Sequence, residues 1–169
     1  TGLQFAPFLL LAPWSGALAD RHPKRLIMLA TQAVMMAAAL VLGVLTVGGW
    51  VRLWEVDVAA AVTGIAAAID APARQSFVSE IVDAELVSNA VALNSASFNS
   101  GRIVGPAVAG LVIARWDTGV AMLLNAASFL VVIAALLALD RSALHPAPPS
   151  RGRGGILEGV RYVRGRRDL

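Results

Sequence analysis

Residues 20–25 gather Asp20, Arg21, Lys24 and Arg25 between two long apolar stretches. A carboxylate beside cations at this density suits ion pairing and helix capping rather than bond making. Asp20 stands at the end of one predicted helix, near the start of the next, where a carboxylate can accept backbone N–H groups. Gly16 lets two helix backbones approach closely. A second polar group lies further on. Ser95, Asn99 and Arg102 fall at i, i+4 and i+7 and so share one helical face, with Asn94 about a quarter-turn away. Gln4 is a weaker candidate of the same kind, or plain interhelical glue. Bond-making chemistry is poorly supplied. The chain has no cysteine and only His22 and His145 as histidines. No His-Glu metal helix, nucleophile elbow or phosphate loop is present. The reading is therefore no enzyme, no metal and no cofactor.

The elements that must position these residues follow from composition. Of 169 residues, 57% are hydrophobic and 15% charged, with a mean hydropathy of +0.71. A soluble domain carries about 25% charge, so lipid is the expected solvent. A membrane helix needs roughly 20 mostly apolar residues, and open sheet facing lipid would leave backbone groups unsatisfied. Five spans are predicted, at about 1–18, 26–51, 52–71, 86–114 and 118–139. Glu55 and Asp57 sit near the entry of the third. Arg102 lies deep in the fourth. There a charge costs at least about 2.5–3.5 kcal/mol, which makes it a functional candidate unless it snorkels or anchors packing. No signal-peptide pattern opens the chain at Thr1, so its start is expected to lie inside a longer protein.

Alternating loops sort the cations strongly. One side holds Arg21, Lys24, Arg25, Arg74 and every Arg from Arg141 to Arg167; the other holds Arg52 and Arg115. The first side is therefore cytoplasmic. Residues 140–155 read as a Pro/Gly/Ser-rich linker. Residues 156–169 read as an amphipathic basic helix, with Ile156, Val160 and Val163 on one face. Such a helix suits the anionic inner leaflet; a solvated basic tail is the alternative. Its Arg residues lack the aromatic platforms of a nucleic-acid site.

With these residues in view, "GALADRHPKR" at 16–25 resembles the loop signature of the major facilitator superfamily. Gly16, Leu18, Asp20, Arg21 and Arg25 match it, with Lys24 as a basic equivalent and Pro23 as a departure. "NSGRIVGPAVAGLVIA" at 99–114 resembles the family's antiporter motif through Gly101, Gly105, Pro106 and Gly110. Arg102 lies within that motif, and Ala109 replaces one glycine of it. Residues 70–106 resemble the drug and siderophore exporters of the superfamily, the enterobactin-exporter and macrolide-efflux branches.

The resemblance implies a partial major facilitator fold: an all-α membrane protein with helices 2 to 6 of the N-terminal half and a cytoplasmic segment before a seventh helix. It implies secondary active export of a small molecule by alternating access, with protons as coupling ions, in the bacterial plasma membrane. Asp20 would latch the halves, facing the C-terminal half absent from this chain. Arg21, Lys24 and Arg25 would pair with nearby carboxylates, Asp70 being the candidate. Gln4, Asn94 and Asn99 are candidate cavity residues. A lipid or lysophospholipid transporter of the same fold, or a non-transporting membrane scaffold or sensor, are the alternatives. No nucleic-acid partner is expected.

Overall fold

The computed structural model describes residues 22–139. Four long helices run in order: α1 (Lys24–Val47), α2 (Leu53–Ile81), α3 (Val87–Arg115) and α4 (Thr118–Ala138). A short 3-10 turn, Ala84–Leu86, precedes α3, and no strand occurs among the described residues. The first predicted span, the linker and the basic tail lie outside them, as do Gln4, Gly16, Asp20 and Arg21.

The helix ends have local causes. α1 stops earlier than the uncharged run 26–51 suggests, because Gly48 and Gly49 turn the chain. Gly49 takes φ 71°, a conformation open to glycine. Glu55 accepts the Arg52 N–H at 2.9 Å and so caps the start of α2. Asp117 does the same for α4, accepting the Val120 N–H at 2.8 Å.

α2 departs most from expectation. The sequence reading ends it at residue 71 and assigns 72–85 to a loop. The helix instead continues through Pro72 to Ile81. Ala73 and Phe77 carry its buried face onward in the core with Ile27, Met28 and Leu136. That packing, together with Arg74 reaching back one turn to Asp70, holds helix beyond the proline. Twenty-nine residues make about 43 Å at 1.5 Å each. That exceeds the hydrocarbon thickness of about 30 Å, so the polar end of α2 extends past the core.

α1 is the central element and runs antiparallel to α2 and to α4. Against α4 the backbones come very close. A Cβ added at Gly119 would stand 2.9 Å from the Val47 amide nitrogen, and one at Gly43 would stand 3.1 Å from that of Leu123. Small residues are what such a crossing requires.

α1, α2 and α4 are long and apolar enough to cross a membrane. α3 has the length but buries no residue, and its first half is rich in Asn and Ser. Trp50, Trp54 and Trp116 stand exposed at the end opposite Lys24, and the Arg115 guanidinium lies 5.6 Å over the Trp116 ring. Tryptophans favour the membrane–water interface. They mark the end that the cation asymmetry assigns to the outside.

Candidate functional site

The first turn of α1 delivers two cations into the helix assembly. Lys24 pairs with Glu80 near the end of α2, each side chain 13% exposed. Arg25 is 9% exposed. It turns to α4, donating from Nε to the Leu136 carbonyl at 2.7 Å and from Nη2 to the Leu137 carbonyl at 2.9 Å. The last carbonyls of a helix have no intrahelical partner and carry the negative end of its dipole. A guanidinium satisfies both needs. Its Nη1 is buried without a partner.

Two turns along, α1 meets Asp70, 6% exposed. Thr31 Oγ1 donates to Asp70 Oδ1 at 2.6 Å and Gln32 Nε2 reaches the same oxygen at 3.2 Å. Arg74 takes Oδ2, with Nε and Nη2 each at 3.0 Å. One buried carboxylate is thus held by two neutral donors and one guanidinium, which offset the cost of taking it out of water.

This corrects the expected pairing. Asp70 meets neither Lys24 nor Arg25. Because α2 runs on to Ile81, the carboxylate level with Lys24 is Glu80, ten residues beyond Asp70 and about 15 Å further along the helix. The four-residue spacing of Ile69, Ala73 and Phe77 was the sequence signal for that longer helix. Glu80, Thr31 and Gln32 were the residues missed.

Beside Asp70 lies a cavity of about 960 Å³, reached by all four helices. Its polar lining includes Gln32, Asp70, Arg74, Gln75, Asn94, Ser95 and Asn99, and Phe98 and Phe129 supply aromatic surface. Asn94 and Asn99, expected at a cavity from sequence, are both there. Arg102 is not part of the lining; it is exposed. A Cβ at Gly101, Gly105 or Gly110 would touch nothing within 4 Å. The motif face of α3, with Pro106 in the same helix, therefore has no close neighbour among the described residues. No cluster of His, Asp and Glu suited to a metal ion occurs among them either.

Long apolar helices around a polar cavity, with buried charges at one end, define an α-helical membrane protein. The chain belongs to the major facilitator superfamily of transporters: its model for transmembrane secretion effectors matches residues 4–169.

The chain is 28% identical to a staphyloferrin A transporter of Staphylococcus aureus, over 80% of its own length and 34% of the relative's. It is 27% identical to a macrolide efflux protein of Enterococcus faecalis, over 80% and 40%. It is 29% identical to a lysophospholipid transporter of Serratia proteamaculans, over 84% and 34%. It thus spans between a third and two-fifths of these relatives. No solved structure matches it significantly. With family, hydropathy and bacterial relatives together, this is a multi-pass transporter segment of the bacterial inner membrane.

Proposed function

We propose that the full-length protein is a proton-coupled exporter of small molecules working by alternating access. The observation that carries this reading is the cavity beside Asp70 and Arg74. Polar side chains in a membrane bundle are expensive and mark solute or ion paths. Its amides and hydroxyls, with two phenylalanines, suit a cargo that mixes hydrogen-bonding groups with apolar surface. The family of transmembrane secretion effectors and the relatives named for macrolide efflux support the direction.

In this reading Asp20, with Arg21, Lys24 and Arg25 around it, forms the cytoplasmic latch. The open Gly101–Gly105–Gly110 side of α3, with Arg102 and Pro106, belongs to the interface with the half of the transporter outside this chain. Asn94 and Asn99 line the path.

A second reading, transport of a lysophospholipid, draws on a different feature. Two apolar grooves of about 530 and 470 Å³ run between α1 and α2 and share Val34 and Val62. Their volumes and apolar linings suit an acyl chain.

Inside-out vesicles carrying the full-length protein separate the readings. Staphyloferrin A, a macrolide and a lysophospholipid are offered in turn, with and without a proton gradient. Gradient-driven uptake of a siderophore or macrolide, abolished by a protonophore, is expected. Uptake of the lysophospholipid alone would favour the second reading. Uptake indifferent to the gradient would sink proton coupling, and no uptake of any would sink export.

A further inference from the structure

Two charged side chains line the cavity among the described residues, Asp70 and Arg74. They are not equally available to a solute. The Asp70 side chain is 8% exposed, and both its oxygens are engaged. Thr31 and Gln32 hold Oδ1, and Arg74 holds Oδ2. The Arg74 side chain is 38% exposed. Its Nε and Nη2 both fall on the one oxygen at 3.0 Å, because donors from α1 already occupy the other. A guanidinium is shaped to grip two oxygens side by side. Here that grip is half used, and Nη1 has no partner among the described residues. The charge that the cavity offers a solute is therefore positive. Asn94, Ser95 and Asn99 on the α3 wall add neutral hydrogen-bonding groups, and Phe98 and Phe129 add apolar surface.

We propose that Arg74 anchors an anionic group of the cargo, and that the cargo is an organic acid with an apolar or aromatic body. A solute carboxylate presents two oxygens to a fork that Asp70 meets with one. The amides of Asn94 and Asn99 supply N–H donors that such an anion still needs, and the phenylalanines suit its body. Asp70 holds the guanidinium until the cargo arrives, so Asp70 and the cargo compete for one cation. A phosphate on a lipid headgroup would share this chemistry. The two apolar grooves, however, share no lining residue with this cavity, which favours a soluble acid. The inference rests on reading the cavity as part of the solute path, and it adds the charge of the cargo to that reading.

The test is binding rather than transport. Radiolabelled 2-naphthoate and the matching neutral amide, 2-naphthamide, are dialysed to equilibrium against the full-length protein in phosphatidylcholine nanodiscs, with empty nanodiscs as the blank. The readout is the ratio of the two affinities, because a general loss of fold lowers both and leaves the ratio alone. One hydrogen bond to a charged group is expected to favour naphthoate about tenfold in the parent. Arg74→Gln is expected to erase the preference, and Arg74→Lys to keep part of it. Asp70→Asn frees the guanidinium and is expected to widen it. A pair that serves structure alone gives no such opposite signs. Citrate is expected to displace the naphthoate. Equal binding of the two probes by the parent overturns the proposal, as does binding of neither. So does a preference that survives Arg74→Gln or shrinks in Asp70→Asn. Displacement by lysophosphatidylglycerol and not by citrate overturns the soluble acid in favour of a headgroup. Anion preference without gradient-driven export would sink the exporter reading and leave this site standing; export with no anion preference does the reverse.

Discussion

Arg25 and Asp70 show how a single charge is made tolerable in this protein, and by different means. Arg25 is neutralised by a helix end: two of its N–H groups serve the Leu136 and Leu137 carbonyls. Arg25→Met keeps much of the volume but leaves both carbonyls unpaired. Each buried unpaired group costs about 1–3 kcal/mol, so the variant is expected to unfold earlier in a detergent melt, with Arg25→Lys recovering only part. A Lys ammonium is a point donor and lacks the fork that spans two carbonyls. Asp70 is neutralised by donors from its own helix and from α1. Asp70→Asn removes the charge that Arg74 faces, and Thr31→Val removes a donor. If both act on one oxygen cage, the double variant should lose less stability than the sum of the singles. Additive losses would separate them. Asp20 belongs to the latch of the proposed cycle, so Asp20→Asn in the full-length protein is expected to lower export while expression holds. Unchanged flux would remove it from that role.

At the scale of elements, the α1–α4 crossing is the least forgiving feature. At both glycines an added Cβ would first meet a side chain, but the backbone nitrogen behind it, which cannot rotate away, stands 2.9 Å from the Cβ at Gly119 and 3.1 Å from that at Gly43. Gly119→Ala is therefore expected to destabilise more than Gly43→Ala. The overpacking range of about 1–3 kcal/mol applies to Gly119→Ala, read as a shift in thermal unfolding. Equal effects would mean that the helices separate freely at that end. The same alanine scan gives a contrasting result on α3. Gly101→Ala and Gly105→Ala meet open space and should leave the stability of residues 22–139 untouched. Any cost they show in the full-length protein then reports on contacts made outside those residues. α2 adds a lesson about prolines: Pro72 ends the helix on paper, yet the buried face continues through Ala73 and Phe77. Packing of the far side outweighed the lost hydrogen bond.

Across the whole molecule, charge and tryptophan give one orientation. Lys24, Arg25 and Glu80 lie at one end, and Trp50, Trp54 and Trp116 at the other. An impermeant maleimide applied to intact cells should label Trp116→Cys but not Ser79→Cys, and inside-out vesicles should reverse the pattern. Ser79 labelled from outside would invert the topology. Much of this was legible in the sequence, because it depends on composition and on local order. The apolar runs at 86–114 and 118–139 fall on the helices Val87–Arg115 and Thr118–Ala138, and of these Thr118–Ala138 is long and apolar enough to cross a membrane. The loop and Gly-Pro motifs pointed to the superfamily that the family match establishes. Asn94 and Asn99 were named as possible cavity residues and line the cavity, whereas Arg102, which the helical spacing put on the face of Asn99, does not. Partnership was not legible, since it depends on which residues three antiparallel helices bring to one level. One added stretch of α2 moved that level from Asp70 to Glu80. The destination of Arg25 is a pair of backbone carbonyls 111 and 112 residues away, and carbonyls leave no mark in a sequence. Sequence determined that this chain lives in a membrane and which orientation to expect. Only the tertiary structure decided which charge holds which, because an ion pair is fixed by distance in space and a sequence records distance along the chain.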